Sequence, residues 1–96
     1  MSLSSLGLDA FSATVRLGSF TAAAKELHLT QSALSQRILN LEEALAVALL
    51  IRQRSDLKLT NEGKLLCRFC RVRTELETKI VEEVKGHEAN AYSDIV

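Results

Sequence analysis

Residues 30–45 read TQSALSQRILNLEEAL, and two patterns are superimposed in them. Leu34, Ile38, Leu41 and Leu45 recur at i, i+4, i+7 and i+11, the single apolar stripe of a helix lying on a core. At about 100° per residue, Ser32, Gln36, Asn40 and Glu43 point away from that stripe, with Gln31 and Ser35 on one shoulder and Arg37 on the other. Thr30 is placed to cap the helix. A helix that only has to stay solvated carries Glu and Lys. Its first two turns here carry short amides and hydroxyls instead, groups suited to pairing with donors and acceptors on a surface they touch.

Toward the N-terminus, LDAFSATVRLGS places Leu8, Phe11 and Val15 at i, i+3 and i+7, with Gly18 as a C-terminal stop, which predicts a helix over 8–17 behind a loose leader, MSLSSL. Ser19 then offers an N-cap for FTAAAKELHL, a short alanine-rich helix whose Ala23 or Ala24, Leu27 and following Leu29 can face inward. His28, near its end, reads as a partner for the helix dipole rather than a ligand or base. The link HLTQ between this helix and the next is tight.

After Leu45 the period changes. LLIRQRSDLKLT reads as two strand-like pieces near 49–52 and 57–60 around a polar turn at Gln53 to Asp56. Two strands alone are marginal, so the hairpin must pack on the helices. Thr60 caps a long last helix, with Glu62 at its positive end. Along it Leu65, Phe69, Val72, Leu76, Ile80 and Val84 keep steps of three or four up to Gly86. That stripe is longer than one small domain can cover, which predicts that it meets a copy of itself.

The 96 residues suffice for one core, and twelve basic side chains balance twelve acidic ones, so net charge names no partner. The distribution is more informative: residues 28–73 hold eight Lys and Arg against four Asp and Glu, an excess of four positive charges, and the C-terminal end reverses the sign. No apolar run approaches the roughly 18 to 20 residues of a membrane span, and the N-terminus lacks a signal-peptide pattern, so the chain is read as cytoplasmic with no membrane partner. Cys67 and Cys70 in CRFC have the spacing of half a metal site, but no second pair exists. They read as small helix side chains; no metal, cofactor or catalytic residue is expected. Ser, His28, His87 and the cysteines form no shared nucleophile site, and no glycine-rich phosphate loop appears.

Helix, short helix, tight turn, third helix and two-stranded wing make a mostly α, winged helix-turn-helix, followed by a long helix. A major groove admits one helix, and neutral amides and hydroxyls pair with base edges where acidic chains would be repelled by phosphate. Gln31, Ser32, Ser35 and Gln36 are therefore the candidates for reading bases in double-stranded DNA. Arg37, Ser19, Thr21 and Thr30 are placed for phosphates, and Arg52, Arg54 and Lys58 for the wing's contacts with backbone or minor groove. A rival reading, a helical protein-interaction adaptor, accounts for the last helix but leaves the polar start of the third unexplained.

GSFTAAAKELHLTQSALSQRILNLE followed by LTNEG, with LLIRQR between them, resembles the N-terminal DNA-binding domain of LysR-type transcriptional regulators over residues 8–86. Within that family the wing looks most like the arginine- and lysine-responsive regulators. The resemblance implies a DNA-binding domain over 1–60 and a linker helix over 61–86 that pairs two subunits antiparallel. Leu65, Phe69, Val72, Leu76 and Ile80 would form that homodimer seam, partly against helix one of the same chain. Residues 87–96 would lead as a hinge or tail toward a larger domain, outside this sequence, that binds a small-molecule inducer. Three departures stand out: ALAVALL lacks the Gly usual near 46 and the Pro frequent near 48, Leu50 replaces a commoner Phe, and Leu39 lies on the exposed side where polar or basic residues are usual.

Overall fold

The computed structural model of the chain describes residues 3–53 and 57–94, with side chains of the last helix described as far as residue 86. Four helices and one hairpin follow in order: α1 (Ser5–Leu17), α2 (Phe20–Glu26), α3 (Gln31–Leu45), β1 (Leu50–Arg52), β2 (Leu57–Leu59) and α4 (Asn61–Asp94). Helix α1 starts three residues earlier than the apolar spacing predicts. The reason is Ser4, whose Oγ accepts from the Gly7 N–H at 3.3 Å and so caps a turn that was expected to be loose leader. Gly18 ends the helix as expected, at φ 66°, with its N–H on the Thr14 carbonyl at 2.9 Å.

The first three helices close over one core. Leu8, Ala10, Phe11 and Ala13 of α1 meet Ala23 and Ala24 of α2 and Leu34, Ile38 and Leu41 of α3, all buried. Thr14, also fully buried, keeps its hydroxyl satisfied by donating to the Ala10 carbonyl at 2.8 Å. The alanines let α2 come close, and the turn after it is equally compact. His28 adopts φ 56° there, and the Leu29 N–H reaches back to the Ala24 carbonyl at 2.8 Å. His28 thus ends α2 through its left-handed backbone, with its side chain exposed.

Helix α3 stops at Leu45, although the glycine that would favour a stop is missing. Ala46 itself takes the left-handed conformation, φ 58° and ψ 31°, its N–H on the carbonyls of Glu42 and Glu43. An L-residue with a Cβ pays about 1 to 2 kcal/mol for that backbone. Ala46→Gly should therefore raise unfolding free energy by about 0.5 to 1 kcal/mol after the entropy glycine costs the native state, measured by urea titration. No gain would mean the strain is relaxed elsewhere.

The wing is an antiparallel pair with Leu50 opposite Leu59, Ile51 opposite Lys58 and Arg52 opposite Leu57. Each strand is one residue shorter than expected because its outer residue serves elsewhere. Leu49 is buried, with its N–H on Glu42 Oε2 at 2.7 Å, and Thr60 caps α4 by accepting from the Gly63 N–H at 3.0 Å. Thr60 also ties the helix start to the α3–β1 link: its N–H donates to the Leu49 carbonyl at 3.1 Å and its hydroxyl to the Ala48 carbonyl at 2.7 Å. Gly63 lies flat against the same carbonyl. A Cβ there would sit inside the van der Waals envelope of the Leu49 oxygen and 3.1 Å from its carbonyl carbon.

Helix α4 turns to the body a side that the spacing did not single out. Cys70 is buried, Leu66 and Cys67 are half-buried against the core, and Arg73 donates to Asp9 of α1 at 3.2 Å. Leu65, Phe69, Val72, Leu76 and Ile80 are 48–60% exposed, so the expectation that they rest partly on helix one is corrected. Steps of three and four run along both sides of a helix, and the spacing alone did not separate the inward residues from the outward ones. The cysteines behave as packing residues: burial, then the neighbouring Cys67, pushes the Cys70 thiol above its ordinary range, away from the reactive thiolate. The helix also continues through Gly86 to Asp94.

Candidate nucleic-acid interface

The first two turns of α3 are held by their neighbours at several points. Thr30 Oγ1 accepts from the Ala33 N–H at 3.0 Å, satisfying one of the free N–H groups at the helix start. Leu34, Ile38 and Leu41 are at most 2% exposed and lock the helix by its inner side. Gln31, Ser32 and Gln36 are exposed and Ser35 is half-buried, so all four expected readers lie on or at the edge of the outward side. Their amides are held in place: Gln31 Nε2 donates to Thr21 Oγ1 at 2.9 Å, and Gln36 Nε2 to Asn40 Oδ1 at 2.9 Å. Each amide keeps a second N–H and its carbonyl oxygen, enough for a bidentate pair with a base edge.

The Gln31–Thr21 bond joins the starts of α2 and α3 into one surface. Ser19 Oγ accepts from the Ala22 N–H at 3.1 Å, so this side chain caps α2 and keeps only its own O–H to offer outward. Arg37 is half-buried on the opposite shoulder, lining a shallow hollow with Ser4, Leu6, Gly7 and Asn40 at the start of α1. Lys58 is exposed on β2, and Arg54 lies outside the described residues.

Arg52 leans back toward the body while its side chain stays partly exposed. Its guanidinium stands 5.3 Å from the centroid of the Phe20 ring and 3.9 Å from Glu42 Oε1. Glu42 is the residue that sequence reasoning missed. Its side chain is only 13% exposed, and besides the Leu49 N–H it faces the Leu50 N–H at 3.4 Å. Charge-assisted hydrogen bonds of this kind contribute about 1.5 to 3 kcal/mol, so Glu42 sets where the wing leaves α3 and where Arg52 sits. The available signal was a carboxylate beside the apolar stripe near a helix end. Phe20 was missed as well, since it belongs to no stripe that spacing reveals, and Asn40, read as outward-facing, was given no role.

The surface thus assembled presents oriented amides and hydroxyls on one protruding helix, with a guanidinium held at the wing beside the start of α2. Among the described residues no group of three or more His, Cys, Asp or Glu could hold a metal, and no described helix is long and apolar enough to cross a membrane.

Comparison with known proteins gives the same arrangement. LysG of Mycobacterium tuberculosis, an HTH-type transcriptional regulator, is 40% identical over 80 residues, which cover 83% of this chain and 26% of LysG. The chain therefore spans about a quarter of the length of that relative. The crystal structure of ArgP from Mycobacterium tuberculosis matches with a TM-score of 0.80 and 39% identity over 88% of this chain and 32% of that one. A crystal structure of the BenM DBD in complex with catB site 1 DNA matches with a TM-score of 0.78 and 35% identity, over 85% of this chain and 93% of that one. The model of the bacterial regulatory helix-turn-helix proteins of the lysR family matches residues 7–64, which include most of α1, all of α2 and α3, the wing and the start of α4. With that family model covering more than half of its length, the winged helix-turn-helix chain described here belongs to the LysR family of bacterial regulatory proteins.

Proposed function

We propose that the chain is the DNA-reading and self-pairing part of a transcriptional regulator, with residues 1–60 binding double-stranded DNA, 61–86 pairing two copies and 87–96 leading on from the pair. The observation that carries the DNA reading is the outward row of hydrogen-bonding side chains at the start of α3, over leucines and an isoleucine that are buried. In this reading α3 enters the major groove and Gln31, Ser32, Ser35 and Gln36 meet base edges. Thr21, Thr30, Ser19 and Arg37 hold phosphates, and Arg52, Arg54 and Lys58 extend the wing along the backbone or minor groove. Affinity then falls with salt as phosphate counterions are displaced.

The test is a titration of duplex, enriched from a random pool by the protein itself, at two salt concentrations. A Gln31→Ala, Gln36→Ala variant should bind the enriched duplex at least about thirtyfold more weakly, from about 1 to 3 kcal/mol for each of two lost bidentate pairs, while keeping the salt slope. Parent and variant binding alike, with no salt dependence, would favour the helical adaptor.

The self-pairing reading rests on the outer stripe of α4 and on its charges. Over residues 61–86 the first half carries Lys64, Arg68, Arg71 and Arg73 against Glu62, and the second carries Glu75, Glu77, Glu82 and Glu83 against Lys79 and Lys85. Pairing with an antiparallel copy about a two-fold axis near Val72 lays Leu65 against the partner's Ile80 and Phe69 against the partner's Leu76. The same register sets Lys64 and Arg68 opposite the partner's Glu82 and the partner's Glu77. A parallel pair would stack like charges instead. Two recognition helices held this way would enter successive major-groove faces roughly 34 Å apart.

A further inference from the structure

We infer that Leu39 is a specificity-determining residue that reads the 5-methyl group of a thymine, an inference that rests on α3 being the DNA-reading helix. Leu39 stands one helical turn beyond Ser35 and Gln36 and two beyond Ser32, at i+4, i+3 and i+7 respectively, within the outward row. It is 39% exposed, whereas the other leucines of α3, Leu34, Leu41 and Leu45, are buried or half-buried on the inner side. It contributes nothing to the core, and it has no donor or acceptor for a phosphate. A lone surface leucine needs no explanation by itself. Its place among the polar groups is what distinguishes this one.

The seven residue steps from Ser32 to Leu39 rise about 10 Å along the helix axis, close to three stacked base pairs, so the row of readers ends on an apolar side chain. The thymine methyl is the apolar group on the major-groove edge of the four base pairs, and an aliphatic side chain recognises it by contact alone. On one flank Gln36 and Asn40 bond to each other at 2.9 Å, which holds two polar groups beside Leu39. The basic candidate on this helix, Arg37, is half-buried on the far shoulder, so no guanidinium competes for the same base. The ligand assigned to this part of the row is therefore an A·T pair with its thymine toward Leu39.

Replacing thymine by deoxyuridine removes the methyl and leaves every hydrogen-bonding group of the base pair unchanged, so it isolates this contact. In duplexes enriched by the parent protein, each thymine of one half-site is exchanged singly for deoxyuridine. The parent should lose about fourfold in affinity at one of these positions, the equivalent of about 0.8 kcal/mol for one buried methyl. Leu39→Ala should bind the thymine duplex more weakly and show no discrimination between thymine and deoxyuridine, while Leu39→Met retains it. Because Leu39 is outside the core, both variants should melt with the parent. A parent indifferent to every exchange, or a Leu39→Ala variant with the parent's thymine preference, overturns the inference while the Gln31→Ala, Gln36→Ala loss still upholds DNA reading. Absence of any specific duplex binding by the parent overturns both.

Discussion

Replacing Gly63 with alanine should remove a large share of this domain's margin of stability. The added methyl meets a main-chain carbonyl that has little room to withdraw. Leu49 is 1% exposed, its carbonyl accepts the Thr60 N–H, and its own N–H is held by Glu42. Moving that carbonyl away breaks the Thr60 bond and pulls on the Glu42 bond. Holding it in place forces α4 away from the wing. Overpacking costs about 1 to 3 kcal/mol, and a displaced buried hydrogen bond adds about 1 to 3. A loss of roughly 3 to 5 kcal/mol is expected, which for a domain of this size lowers the melting midpoint by more than about 12 °C. Set against a typical total of about 5 to 15 kcal/mol, that is a large share. Calorimetry or urea titration of Gly63→Ala checks it, with Gly86→Ala as control, since a Cβ at Gly86 meets nothing within 4 Å. If the two variants melted together, the close contact between helix start and wing link would be wrong.

Leu76→Glu should leave the fold unchanged and abolish self-pairing. Leu76 is 57% exposed, so a single copy has little to lose there. In the proposed antiparallel pair the new carboxylate faces the partner's Phe69, and symmetry repeats the insult. An uncompensated buried charge costs about 3 to 5 kcal/mol, so two weaken the pair by at least about a thousandfold. Sedimentation at micromolar concentration should show the parent as a dimer and the variant as a monomer of unaltered helical content. A variant that stays dimeric would remove the seam along Leu65, Phe69, Val72, Leu76 and Ile80. High salt gives a second reading, because the facing charges at Lys64, Arg68, Glu77 and Glu82 should be screened while the apolar stripe is not.

The sequence by itself determined the element order and most of the outward row on α3. Those features are local and periodic: an apolar step of three or four, a Ser or Thr before it, and a glycine after it suffice to place Leu34, Ile38, Thr30, Ser19 and Gly18. Tertiary structure decided what depends on residues brought together from different elements. Only the packing shows that Glu42 seats the wing, that Arg52 is held between Glu42 and Phe20, and that Gln31 bridges to Thr21. The two sides of α4 were separated in the same way, Cys70 inward and Phe69 outward, although both fit a helical apolar spacing. Periodicity reports that a helix has an apolar side. Which of two such sides the body covers depends on where the α3–β1 link meets the helix, and at Gly63 that meeting leaves no space for even one methyl.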